Sequence, residues 1–304
     1  MARTPMNIRA HLVDILCRNE ADGPGNAEPY LWPVFFKVDG DSYAFDSVGL
    51  IGFPTVVPMN GKHGNLGDTD VDQGDRVLIP ETLGMLETEL KPIPVNDPFF
   101  RGQIGDDTIP GFIGAAAVLM EQDSWPDDFA TTGYDAFVDA IRLGVGKMMA
   151  SFQHALHAPT HDEIDEQIAK IKVLARWMVK GAILNHMSGS QIAWYGSAGN
   201  NDDQIGVEGW FVSQDDFGDT NVKTFSRRWT DDESDGNGDW EITVRFTNLD
   251  AKATVPPECA KLADAIHALQ EELASVTDIT ERKRILQEIS ALKARSLVIG
   301  CPAA

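Results

Sequence analysis

The chain has 304 residues, with 25 Lys+Arg against 47 Asp+Glu, giving a formal net charge of −22. A hydrophobic content of 43% is enough for a sizeable core and excludes wholesale disorder. The charge excludes DNA or RNA as a partner, because phosphate binding needs a basic face; the excess acid must be solvated, screened or bound to cations.

No apolar targeting region follows Met1, and no run of about 18 apolar residues is available for a membrane-spanning helix. The expectation is a cytoplasmic setting or export by a leaderless route, with no signal peptide. Cys17, Cys259 and Cys301 are odd in number and far apart, so they read as three free thiols.

Residues 1–133, net −13, read as short strands joined by Gly/Pro/Asp turns. Residues 7–16 are β-compatible, and residues 30–38 are aromatic and β-branched. Asp39-Gly40 is a hairpin signal leading into residues 42–45. Pro54, Pro58, Pro80, Pro92, Pro94 and Pro98 reduce 47–110 to loops and edge strands. An apolar run, 115–120, closes this part.

Residues 134–187, with no net charge, read as a helical insertion of two helices. The first runs from Tyr134 to about residue 158, where Pro159 stops it. The second opens on a capping-box pattern, Thr160 to Glu163, and carries Ile164, Ile168, Ile171, Leu174 and Met178 at helical spacing. On its other side Lys172, Arg176 and Lys180 recur every four residues. Such a stripe suits an anionic membrane or a protein partner; the favoured alternative is packing on the sandwich with its lysines toward Asp-rich loops. His154, His157 and His161 are closely spaced, but Pro159 breaks any helix that would align them.

Strands return over 188–255, net −8, most clearly at 206–213 and 240–247. Residues 256–304, net −1, carry Leu262, Ile266, Leu269, Leu273 and Val276 at four-three intervals. A second capping pattern, Asp278 to Glu281, precedes Ile285, Ile289 and Leu292, so a C-terminal helical hairpin is expected, available for homo-oligomer contacts.

Most of the acid falls in turns. One cluster is Asp22 to Glu28, with Glu20 just upstream; another is Glu121, Asp123, Asp127 and Asp128. Carboxylates at alternate positions where a strand runs into a loop can turn toward one point, and Ca2+ takes roughly six to eight oxygens. Asp68, Asp70 and Asp72, and separately Asp231, Glu233 and Asp235, have the order of a calcium loop without its flanking helices; each reads as a solvated turn or a further cation site. No Gly-x-Ser-x-Gly, phosphate loop, dinucleotide fingerprint or His-Glu-x-x-His is present, and no catalytic residue is assigned.

A strand, Asp22, Glu28-Pro29-Tyr30 and then an aromatic strand resembles the first calcium loop of the C2 domain. Residues 118–123, followed by Asp127, Asp128 and Gly133, are similar to that family's third loop. The resemblance covers the first 40 residues and a stretch of about 25 around position 120. It implies a mainly β chain with α insertions: a C2-like antiparallel β-sandwich, an inserted helical pair and the C-terminal hairpin. It also implies Asp22, Glu28, Glu121, Asp123 and Asp128 as Ca2+ ligands, in loops that join calcium to anionic lipid or a protein partner. Glutamate stands for the usual aspartate at Glu28 and Glu121, and the two loops are farther apart than the family's. The expected function is non-enzymatic calcium-dependent docking. The alternatives are a structural or toxin-like assembly protein using the helical blocks, and a metal-assisted hydrolase.

Overall fold

The computed structural model describes residues 3–20, 27–67, 71–122, 127–157, 159–187, 203–218, 221–229, 238–251, 258–276, 278–299 and 301. In chain order the first strands are β1 (Met6–Asn19), β2 (Pro29–Val38), β3 (Tyr43–Asp46), β4 (Gly49–Gly52), β5 (Thr55–Pro58) and β6 (Arg76–Leu78). Next come α1 (Glu81–Gly84), β7 (Met85–Leu90), β8 (Ile93–Pro94), α2 (Pro98–Ile104), β9 (Thr108–Ile109) and β10 (Phe112–Glu121). The rest is α3 (Asp127–Ser151), α4 (His161–His186), β11 (Asp203–Ser213), β12 (Val222–Trp229), β13 (Asp239–Asn248), α5 (Glu258–Ser275) and α6 (Ile279–Ile299).

Two antiparallel sheets form the body. In sheet one, β1 pairs with β13, which pairs with β12; the other edge of β1 is shared by β7 and β6. Sheet two has the order β11-β10-β2-β5. Two small ribbons, β3-β4 and β8-β9, stand apart. The facing sides of the large sheets share one apolar cluster, in which Leu31, Phe35, Ile113 and Leu119 meet Ile8, Leu12, Ile242 and Phe246.

Sheet two is buried on its outer side as well. Tyr30, Trp32, Val34 and Phe36 of β2, with Ala116, Val118 and Met120 of β10, pack against α3 and α4. Being dry on both faces, β10 reads as a continuous apolar run without alternation. Close approach of α3 needs glycine: a Cβ on Gly133 would lie 2.5 Å from the Trp32 ring, and one on Gly144 would lie 2.7 Å from Ile171. The buried Tyr134 hydroxyl donates to the Pro33 carbonyl (2.8 Å) and accepts from the Met59 N–H (2.5 Å), tying α3 to sheet two.

The helical pair is inserted between antiparallel neighbours β10 and β11, as the block boundaries imply. The first helix, however, starts at Asp127 rather than Tyr134 and ends at Ser151. Asp127 and Asp128 thereby become first-turn acids facing the positive end of the helix dipole. The Thr160–Glu163 capping box forms as expected. β2 and β3 do not make a hairpin: β3 pairs with β4, and its Phe45 bridges Val95. The Asp39 carboxylate is buried at that turn, accepting from Lys37 Nζ and from the Asp41 and Lys91 N–H groups. Among the described residues the fold is mixed rather than mainly β: helix makes 41% and strand 36%, in several antiparallel sheets and six helices.

At the C-terminus, α5 and α6 pack through Ile266, Ile285 and Ile289. Asp278 accepts from the Glu281 N–H at 2.9 Å, and Arg282 donates to the Leu273 and Val276 carbonyls at the end of α5. The reading of three free thiols is corrected here. Cys259 and Cys301 form a disulfide across this pair, with Cα atoms 5.4 Å apart, and only Cys17 is free. The antiparallel return of α6 brings together residues 42 apart in sequence, which spacing alone does not reveal. Among the described residues no helix is long and apolar enough to cross a membrane.

The outer side of sheet one carries buried polar groups. His11 lies opposite Arg245, and Asp14 opposite Thr243. Arg76 reaches Asp14 at 2.6 Å, but His11 Nε2, Asp14 Oδ2 and two Arg245 nitrogens have no hydrogen-bond partner. Burial pushes the His11 imidazole down to about 4, with Arg245 and Arg9 adding to it. Burial also raises the Asp14 carboxyl, against the pull of Arg76.

Two outcomes are expected. Thiol titration in denaturant should find one thiol before reduction and three after it; reduction should cost about 4 kcal/mol, the chain entropy of a loop this long. Three thiols without reductant would contradict the pairing. His11 is protonated more readily unfolded than folded, so its contribution is present above pH 6.5 and is lost as pH falls toward 4. Urea midpoints over that range should fall by roughly 3 kcal/mol in total, and His11→Leu should flatten the slope. An unchanged slope in the variant would count against a buried neutral imidazole.

Candidate functional site

Six strand ends meet at one end of the body. Asn19 of β1 is opposite Asp239 of β13, and Trp229 of β12 is opposite Trp240. In sheet two Glu121 is opposite both Pro29 and Asp203. The Gln122 N–H donates to the Glu28 carbonyl at 3.0 Å. Ala27 bridges to Val71, and the Cys17 backbone bonds both Gly74 and Asp75. The four acidic clusters therefore depart from the same end.

Segments 20–28, 68–75, 121–128, 202–203 and 231–239 hold 18 of the 47 acidic residues and no lysine or arginine. Against a net charge of −22, these segments, whose described flanks form an acidic pole, are where the imbalance sits in the sequence. Cys17, at its base, reports the field: burial pushes its thiol up to about 12, and Glu20, Asp75, Asp239 and Asp72 add to the shift.

Among the expected ligands, Glu28 is exposed just ahead of β2, whereas Glu121 is 5% exposed at the end of β10. Asp128 is exposed and its Oδ2 lies 3.1 Å from His186 Nε2, at the far end of α4. Asp72 accepts the Asp75 N–H at its backbone and lies 4.0 Å from Lys283 of α6; Gln287 donates to Asp75 at 2.6 Å. Asp22, Asp123, Asp68, Asp70, Asp231, Glu233 and Asp235 lie outside the described residues. Among the described residues no group of three His, Cys, Asp or Glu side chains is placed to hold a metal ion. The donor chemistry at the pole, carboxylate oxygen, is that of a hard cation.

Two histidines at the pole were not signalled by sequence. His63 Nδ1 lies 2.9 Å from Asp127, with its ring edge-on to Tyr30 at 4.7 Å; His186 is edge-on to Phe129 at 5.4 Å. Their separations from the aspartates, 64 and 58 residues, hide both pairs from any motif. His154, His157 and His161 do not converge: α3 ends before them, and His161 turns to Asp216 at 2.8 Å.

The basic stripe divides. Lys172 meets Glu208 of β11 at 3.0 Å, whereas Arg176 and Lys180 are exposed and no carboxylate among the described residues pairs with them. Elsewhere, a hollow of about 610 Å³ between the β3-β4 ribbon and α3 is lined by Tyr43, Leu50, Phe53 and Met149. Its charged group, Asp41, is already held by Lys37 and Lys91.

No family model, no curated protein and no solved structure matches the chain.

Proposed function

We propose that the chain is a non-enzymatic, C2-like β-sandwich protein that binds Ca2+ at its acidic pole and docks onto a membrane or protein partner. The observation that supports this reading is that the strand ends beside Glu28 and Glu121, the turn with Asp72 and the first turn of α3 with Asp128 lie at one end of the body. These segments carry 18 acidic residues and no lysine or arginine of their own, and carboxylates brought close together repel one another at neutral pH. Protonation is a costly relief, because raising one carboxyl from its usual range to 7 takes about 4 kcal/mol. A divalent cation neutralises two carboxylates without that cost. In this reading Asp22, Glu28, Glu121, Asp123 and Asp128 supply the oxygens, with Asp128 exchanging His186 for the ion; Asp68, Asp70, Asp72, Asp231, Glu233 and Asp235 form the flanking donors.

The disulfide favours an oxidising compartment, since such bonds persist there and are rare in the cytosol. A second reading, assembly through the C-terminal helices, draws on Ile279 and Leu286, exposed and seven residues apart on α6. It carries less, because Ile285 and Ile289 are already buried against α5.

Calorimetry on chelator-stripped protein tests the calcium reading. Titration with CaCl2 should release heat, and saturation at a hundred times Kd should raise stability by about 2.7 kcal/mol. Glu28→Gln with Asp123→Asn should abolish both effects. No heat and no melting shift would sink the proposal.

A further inference from the structure

Helix α4 carries an exposed side that no other described element packs against. Its inner side is consumed by Ile164, Ile171, Ala175 and Ile183, which are buried against α3 and β11. On the opposite side Val173 is 63% exposed, Trp177 78% and Leu184 45%. Their spacing of four and seven residues aligns them with Lys180 along one ridge. Trp177 is the one exposed tryptophan among the described residues; Trp32, Trp210, Trp229 and Trp240 are all buried.

Beside this ridge, Lys172 and Arg176 join Arg227 of β12 around a cleft of about 310 Å³, backed by Val207 and Trp229. Glu208 lies 3.0 Å from both Lys172 Nζ and Arg227 Nε. Arg176, on the same rim, is exposed and pairs with no carboxylate among the described residues. The back wall is rigid, because Gly206 lies directly under the Trp229 ring, where a Cβ would be 2.3 Å away. A cationic cleft next to an exposed indole is out of keeping with a chain of net charge −22 unless something anionic and partly apolar meets it.

We propose that the outer side of α4 docks onto an anionic phospholipid bilayer. The headgroup phosphate enters the cleft between Lys172, Arg176 and Arg227, while Val173, Trp177 and Leu184 enter the boundary between headgroups and acyl chains. Interfacial helices combine basic side chains with Trp and Leu in this way, and the indole favours that boundary. Trp177 and Leu184 stand exposed along the ridge, and Val173 continues it to the rim of the cleft. A fluid bilayer accepts a ridge without a shaped counterpart, whereas a folded protein partner would need a matching furrow. This rests on the docking half of the function proposed above and not on the cation.

Co-sedimentation of the full chain with phosphatidylcholine vesicles, with and without phosphatidylserine, tests it, in chelator and again in calcium. The chain should partition onto the phosphatidylserine vesicles in chelator. Each basic group near such a surface is worth about fivefold, so Arg176→Gln with Lys180→Gln should weaken partition roughly 25-fold. Both groups are exposed, and an unchanged circular dichroism spectrum will show that the fold survives. Brominated acyl chains should quench the wild-type fluorescence and lose that effect in Trp177→Phe. Partition indifferent to phosphatidylserine, or unchanged in the double variant, overturns the inference. So does retention on an acidic polypeptide matrix without vesicle binding, which would point to a protein partner. Calcium heat without vesicle binding in either buffer overturns this inference alone and leaves the acidic pole standing. Vesicle binding seen only in calcium and unaffected by the α4 substitutions overturns it in favour of the pole as the membrane contact.

Discussion

Sheet two must be dry on both sides, and the remaining architecture follows from that. β2 and β10 have no side chain row that could face water: Leu31 and Phe35 point into the space between sheets, and Tyr30, Trp32 and Phe36 point away from it. Each large apolar group left bare would cost roughly 2–3 kcal/mol. α3 and α4 are therefore a required third layer, and the glycines at 133 and 144 let them come close enough to close it. With α3 bonded through Tyr134 to sheet two, α4 has one buried side, and its other side becomes protein surface.

The same construction segregates charge. Along the body of the molecule the bases are spent on nearby acids: Arg3 on Asp106 and Asp215, Lys37 on Asp39 and Asp41, Arg76 on Asp14, Arg228 on Asp239. Most of these pairs are partly exposed and each adds little stability. Their larger effect is on the balance that remains. With the body near neutrality, the turns at one end of the strands carry most of the excess acid, only partly offset by Arg228 and Lys283, and burial and four of these acids push the Cys17 thiol beneath them upward.

Legibility in the sequence followed the range of each interaction. Strands β11 and β13 were readable from alternation or aromatic content, and α4 from its capping box, because those signals lie within a few neighbouring residues. The start of α3 was not, since Asp127 and Asp128 looked like loop acids until the helix dipole gave them another role. The pairs His63–Asp127 and His186–Asp128 and the Cys259–Cys301 bond depend on chain reversals across 64, 58 and 42 residues, and no local pattern encodes them. The acid was visible as clusters, but only strand register places those clusters at one end. The basic stripe was visible too; what the sequence concealed was that Arg227 and Trp229 arrive from β12 to complete a cleft beside it.

Pole and stripe are electrostatically opposed surfaces on one small body, and distance decides whether they interfere. The β12 wall of the cleft, Arg227 and Trp229, runs directly into the strand ends of the pole. Along α4, Lys172 lies 14 residues before His186, which touches the pole, a distance of about 21 Å of helix. Screening in physiological salt has a length of about 8 Å, so the Lys172 end of the helix is shielded from that contact by more than two such lengths. Leu184 and Lys180 sit closer and are not. A bilayer approaching α4 thus meets attraction along most of the ridge and repulsion at its last turn. A cation that reduces the charge of the pole removes that repulsion, and by linkage a bilayer that benefits from the cation must in turn strengthen its binding. Calcium and lipid, proposed on separate observations, therefore act in the same direction through the charge of one strand-end pole.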